Sequence, residues 1–135
     1  MIEKEFTAKD ESLAAVQAFA EEELEKADCP MKLMMQVSVA IEEVFVNIAH
    51  YAYDGEEGNM KLGIDFEGGV MTFRFTDSGM PFDPLAKRDP DITLSAEERQ
   101  IGGLGIFMVK KTMDEVTYER KKGNNILTLK KNLWV

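Results

Sequence analysis

Cysteine is nearly absent from this sequence. Cys29 stands alone among 135 residues, so no internal disulfide can form and the fold must be held by burial. A single thiol is also the usage expected of a reducing compartment. Positive charge is scarce: 16 Lys and Arg stand against 25 Asp and Glu, a net charge of −9. That deficit argues against a general binder of nucleic acid or anionic membrane, because nothing here would neutralise a run of phosphates. It leaves room for one nucleotide, which needs local donors and a metal rather than a basic surface. The chain opens on alternating charges instead of an apolar signal segment, and no run approaches membrane-spanning length. The expectation is therefore a cytoplasmic protein.

What remains is ordinary for a globular domain, and 135 residues suffice for one domain, 1–135, with a real core. Ile2, Lys4 and Phe6 alternate with polar neighbours as a short edge strand. Asp10 or Ser12 is placed to cap a helix running to about Ala27. Its acidic run, Glu21, Glu22, Glu23 and Glu25, lies largely off the apolar face and reads as a solvated surface. Pro30 suits the first turn of a second helix, from about Met31 to His50. Met60, Leu62, Ile64 and Phe66 alternate, Glu67-Gly68-Gly69 turns the chain, and Met71, Phe73 and Phe75 alternate on the return. From Leu85 to Ile101 the chain is polar and without sustained period, apart from a helical turn at 95–99. A connection that long in a small domain serves as a lid or a binding loop. A third helix follows Gly102-Gly103-Leu104-Gly105, and a second hairpin turns at Lys122-Gly123-Asn124-Asn125. This order predicts an α/β (α+β) two-layer sandwich, with helices on one face of a mostly antiparallel, mixed sheet.

The second helix is too apolar for a surface helix, yet Glu43 and Asn47 sit within it. They are four residues apart and share one face. Such groups are costly to bury unless something uses them. Asn47 offers a hard oxygen ligand for magnesium, and Glu43 is placed to take a proton from an attacking hydroxyl or water. A hydrogen-bonded polar pair is the alternative. Glu42 points a quarter-turn away and reads as structural or solvated. A transition-metal site with His50 is disfavoured because Asn47 between them is a poor ligand for such ions. Asp77 ends a buried strand just before Gly79. Its carboxylate can accept from the 6-amino group of adenine and would repel the carbonyl of guanine; a plain turn aspartate is the other reading. Gly103 and Gly105 open a helix whose free amides and dipole favour phosphate oxygens. No Gly-Lys-Ser/Thr follows, so this is not a Walker A loop. Met108 stands where a Rossmann fingerprint needs its third glycine.

Glu43-x-x-x-Asn47, Asp77-x-Gly79 and Gly103-x-Gly105 together resemble the three nucleotide boxes of the GHKL, or Bergerat-fold, superfamily. The runs Asp77-Ser-Gly-Met-Pro-Phe-Asp-Pro84, Gly102-Gly-Leu-Gly-Ile-Phe-Met-Val109 and Met113-Asp-Glu-Val116 are similar to its anti-sigma-factor serine/threonine kinases. The resemblance implies ATP and Mg²⁺ as cofactors, with Asn47 on the metal, Asp77 on adenine and Glu43 as catalytic base. Gly79, Met80, Gly102, Gly103, Leu104 and Gly105 would shape the nucleotide pocket, and 85–101 would be the ATP lid. It further implies a homodimer that binds a sigma factor and phosphorylates a serine of a small STAS-type anti-anti-sigma partner. A non-catalytic module that sequesters a partner in a nucleotide-dependent way is the rival. An ATPase or histidine-kinase fragment is expected to fit less well, because 135 residues leave no room for a phosphoacceptor-histidine dimerisation domain and His50 lies in the site helix. Two positions depart from the pattern: Tyr51 stands where these kinases usually carry His, with His50 one place earlier. Ile101 stands where the sporulation type has Arg, with Arg99 nearby.

Overall fold

The structure, a computed structural model, describes residues 1–86 and 103–134. Val70–Asp77 (β3) carries the clearest alternation: Met71, Phe73 and Phe75 are buried, and Thr72, Arg74 and Thr76 between them are not. β3 is the middle of a five-stranded sheet. The other strands are Ile2–Thr7 (β1), Asn59–Glu67 (β2), Glu115–Lys121 (β4) and Asn124–Asn132 (β5), in the order β1-β2-β3-β5-β4. Every pairing among them is antiparallel. Both hairpins use two-residue turns with positive φ at each central residue. The values are 59° and 83° at Gly68-Gly69, and 52° and 81° at Lys122-Gly123. This is the backbone geometry that matches the right-handed strand twist. Only Lys122 takes it without being glycine.

The register gathers apolar side chains on one face. Leu62, Phe75 and Leu127 stand in one cross-strand row, and Ile64, Phe73 and Leu129 in the next. Leu13–Lys26 (α1), Met31–Tyr51 (α2) and Gly103–Thr112 (α3) cover that face. The expected α/β two-layer architecture is therefore the one observed, except that among the described residues the sheet is wholly antiparallel rather than mixed. α2 is its centre, burying Val37, Ala40, Ile41, Val44 and Phe45 against the sheet. By length and composition α2 does match a membrane-spanning helix, contrary to the expectation that no run would. Part of its apolar content is accounted for by the face it packs on the sheet, whereas Met31, Met35 and Val39 are exposed.

The expected N-cap of the first helix also needs correction. Asp10–Ser12 forms a 3₁₀ turn, and Ser12 makes no side-chain capping bond to α1. The Asp10 carboxylate instead meets His50 Nε2 at 2.8 Å, tying the start of α1 to the last turn of α2. Glu21, Glu22 and Glu25 lie exposed as read, while Glu23 is half-buried and pairs with Lys26 at 3.1 Å. At the C-terminus of α3, Lys131 of β5 donates to the Thr112 carbonyl, satisfying one of the acceptors a helix end leaves open.

The inner face of the sheet changes character at one end. The last cross-strand row reads Met60, Asp77, Asn125, Arg120. Asp77 and Asn125 are both buried there.

Candidate functional site

A cavity lies between α2 and this polar end of the sheet, with an empty volume of about 410 Å³ including its open mouth. Val44, Ile48 and Ala52 of α2, Phe82, Pro84, Ile106 of α3 and Leu127 of β5 supply an apolar wall. Four polar side chains interrupt it: Asn47, Asp77, Tyr118 and Asn125. An apolar pocket with a few convergent polar groups is the usual form of a small-molecule site.

The stretch from Asp77 to Phe82 is held at nearly every residue. Gly79 N donates to Asp77 Oδ1 at 3.0 Å, and Ser78 N donates to the Tyr53 hydroxyl at 3.0 Å. That hydroxyl in turn donates to the Asn59 carbonyl. Met80 N donates to the Ala52 carbonyl at 2.8 Å, satisfying an acceptor at the C-terminus of α2. Arg120 Nη1 donates to the Gly79 carbonyl at 2.8 Å. Asn125 Nδ2 donates to Asp77 Oδ1 at 2.9 Å and to the Met80 carbonyl at 2.8 Å. Its Oδ1 accepts from Tyr118 Oη at 2.6 Å and from Phe82 N at 3.3 Å. Side chains clamped this way can hold a ligand-reading group still. Both of these hydrogen bonds to Asp77 land on Oδ1, and among the described residues none lands on Oδ2.

Asn47 and Asp77 therefore share one cavity. Gly79 is buried beside it for a steric reason: a Cβ there would lie 2.2 Å from the Ala52 carbonyl oxygen. Met80 keeps its side chain exposed and contributes only backbone. Gly103, Leu104 and Gly105 form the first turn of α3, and Ile106 just after them reaches the cavity wall. Glu43 is half-buried on the α2 turn preceding Asn47 and does not line the cavity. Burial, and secondarily the charge of Glu42, pushes its carboxyl above the usual glutamate range. Gly102, Arg99, Ile101 and the expected lid beyond Ala86 lie outside the described residues. Tyr51 stacks on Phe82 with ring centroids 6.4 Å apart, at the edge of the site.

The donor set suits a hard cation shared with a ligand. Among the described residues no group of three His, Cys, Asp or Glu side chains could hold a metal by itself. Asn47 supplies one neutral oxygen in the cavity wall. Magnesium commonly takes few protein ligands and completes its shell with phosphate oxygens and water.

Residues 6–131 match the histidine kinase-like ATPase domain. The chain belongs to that family. Within the histidine kinase-like ATPases it is similar to the serine-protein kinase RsbW of Listeria monocytogenes. The two are 27% identical over 99 residues, covering 70% of this chain and 63% of that protein. RsbW of Halalkalibacterium halodurans is 31% identical over 91 residues, covering 64% and 56%. The chain thus spans less than two-thirds of the length of these kinases. The anti-sigma F factor of Clostridium botulinum is 23% identical over 130 residues, 94% of this chain and 91% of that protein.

Tyr53, Tyr118, Arg120 and Asn125 were not legible as site residues in the sequence. Asn125 follows Lys122-Gly123-Asn124, a composition that reads as turn, and only the strand register carries it beside Asp77.

Proposed function

We propose that this protein is an ATP-dependent serine/threonine protein kinase of the anti-sigma type, acting on a serine of a small STAS-type anti-anti-sigma protein. The observation that carries the reading is the meeting of Asn47 and Asp77 in one apolar cavity. The kinase names of the similar proteins support it. Asp77 Oδ2 accepts from the 6-amino group of adenine at the buried end of the cavity. Asn47 holds the metal, which neutralises charge on the phosphate oxygens when bound. The free amides at the start of α3 face the same phosphates, favoured by the helix dipole. The serine Oγ attacks the γ-phosphorus, its proton passes to Glu43, and the bond to the β-phosphate oxygen breaks to release ADP. A carboxyl lifted above the ordinary range is better matched to that proton than an exposed glutamate. A sigma factor as second partner and a homodimer as the working form belong to the same proposal.

Labelled ATP with a candidate STAS protein tests the reading. Wild type should transfer label to a partner serine, and Glu43→Ala should lose transfer while retaining ATP binding. One observation favours the rival, a binding module without transfer: Glu43 stands outside the cavity lining. ATP-dependent complex formation with no label transferred by either protein would establish that rival instead.

A further inference from the structure

The orientation of the Asn125 amide is dictated by its neighbours. The Phe82 N–H and the Tyr118 hydroxyl approach one end, at 3.3 and 2.6 Å, and that end must be the oxygen to accept the backbone donor. The Met80 carbonyl and the Asp77 carboxylate face the other end, at 2.8 and 2.9 Å, and both need donors. All four hydrogen-bonding positions of the amide are filled. A flipped amide would set its oxygen against two acceptors and its N–H₂ against a backbone N–H, in a site where Asp77 and Asn125 are each only 6% exposed.

This arrangement acts on Asp77. Its Oδ1 is already engaged by two donors, Gly79 N and Asn125 Nδ2. Oδ2 is left as the acceptor that can meet a ligand. We propose that Tyr118 and Asn125 are positioning residues for base selection. Through the locked amide they hold Asp77 so that one oxygen alone faces the exocyclic amine of a purine. This inference rests on the nucleotide reading above and extends it to a pair of residues on the second hairpin, neither of which need touch the base.

Direct titration of the full chain with two probes tests it: ATP, and purine riboside 5′-triphosphate, which lacks the 6-amino group. Wild type should prefer ATP. Tyr118→Phe keeps the ring and removes only the hydroxyl, so the amide loses one of its four hydrogen bonds and holds Asp77 less rigidly. ATP affinity should then fall by about five- to tenfold, the worth of one buried hydrogen bond. Affinity for the amine-free probe should stay within about twofold, so the ratio of the two collapses. Asn125→Asp, which replaces the donor to Asp77 with a like charge, should collapse the ratio further. If Tyr118→Phe weakens both probes equally, or weakens neither, the hydroxyl has a general packing role and the inference is overturned, while the nucleotide reading stands. If wild type binds both probes equally well, Asp77 does not read the amine and the inference falls with that assignment. If wild type binds neither, the nucleotide reading itself is refuted.

Discussion

Glu43 and Asp77 are both acids, one half-buried and one buried, and their surroundings set them apart. Asp77 receives two N–H donors, whereas Glu43 is lifted by burial and by Glu42 beside it. A carboxyl whose folded pKa lies above its unfolded value stabilises the fold below the unfolded pKa. That contribution is lost as pH rises through the folded value. Glu43→Gln should therefore melt at a higher temperature than wild type at neutral pH. The gap should close as pH falls below the ordinary glutamate range, where both side chains are neutral. Melting curves across that window check the sign, and a variant less stable at pH 7 than wild type contradicts it. At this scale the sequence was informative wherever a polar residue interrupted an apolar pattern, as Asn47 and Asp77 do. It was silent on Asn125, whose neighbours spell a turn, and on Tyr53 and Tyr118. Tyr118 fits the alternation of its strand and Tyr53 follows the apolar run of α2, while their hydroxyl partners are set by tertiary contact.

Among the elements, α2 and the 77–82 turn support one another. The C-terminus of α2 offers the Ala52 carbonyl, Met80 N takes it, and the close approach leaves no space for a side chain at Gly79. The obstacle is backbone, which cannot swing aside as a flexible side chain would. Gly79→Ala should destabilise the protein by about 1–3 kcal/mol. It should also weaken ATP binding, because the turn that carries Asp77 has to move. Chemical denaturation with a parallel nucleotide titration measures both; an alanine variant equal to wild type in each would show that the turn has slack. The hairpins were readable in advance because their turns need positive φ, which glycine supplies at three of four positions. The first helix is not capped as its sequence suggests. Asp10 is a good capping residue by type, but its carboxylate meets His50, forty positions away, instead of a backbone amide. Local preference yielded to a tertiary contact.

At the scale of the whole fold, the described residues form five antiparallel strands and three α-helices in a single layered core, and the cavity opens where the sheet's inner face turns polar. The strong net negative charge means that an anionic nucleotide is recruited against the overall field, so affinity must come from specific contacts within the site. That places the heaviest demand on Asp77, and its neighbours make the consequence of Asp77→Asn specific. Gly79 N and Asn125 Nδ2 would claim the new amide's oxygen, turning its N–H₂ toward the purine amine, donor against donor. Isothermal titration of ATP with magnesium against wild type and Asp77→Asn, with melting temperatures recorded alongside, is the most direct test of the account. Loss of the charge-assisted hydrogen bond should lower ATP affinity about ten- to a hundredfold while the melting temperature changes little. Equal ATP affinity in the two proteins would contradict it.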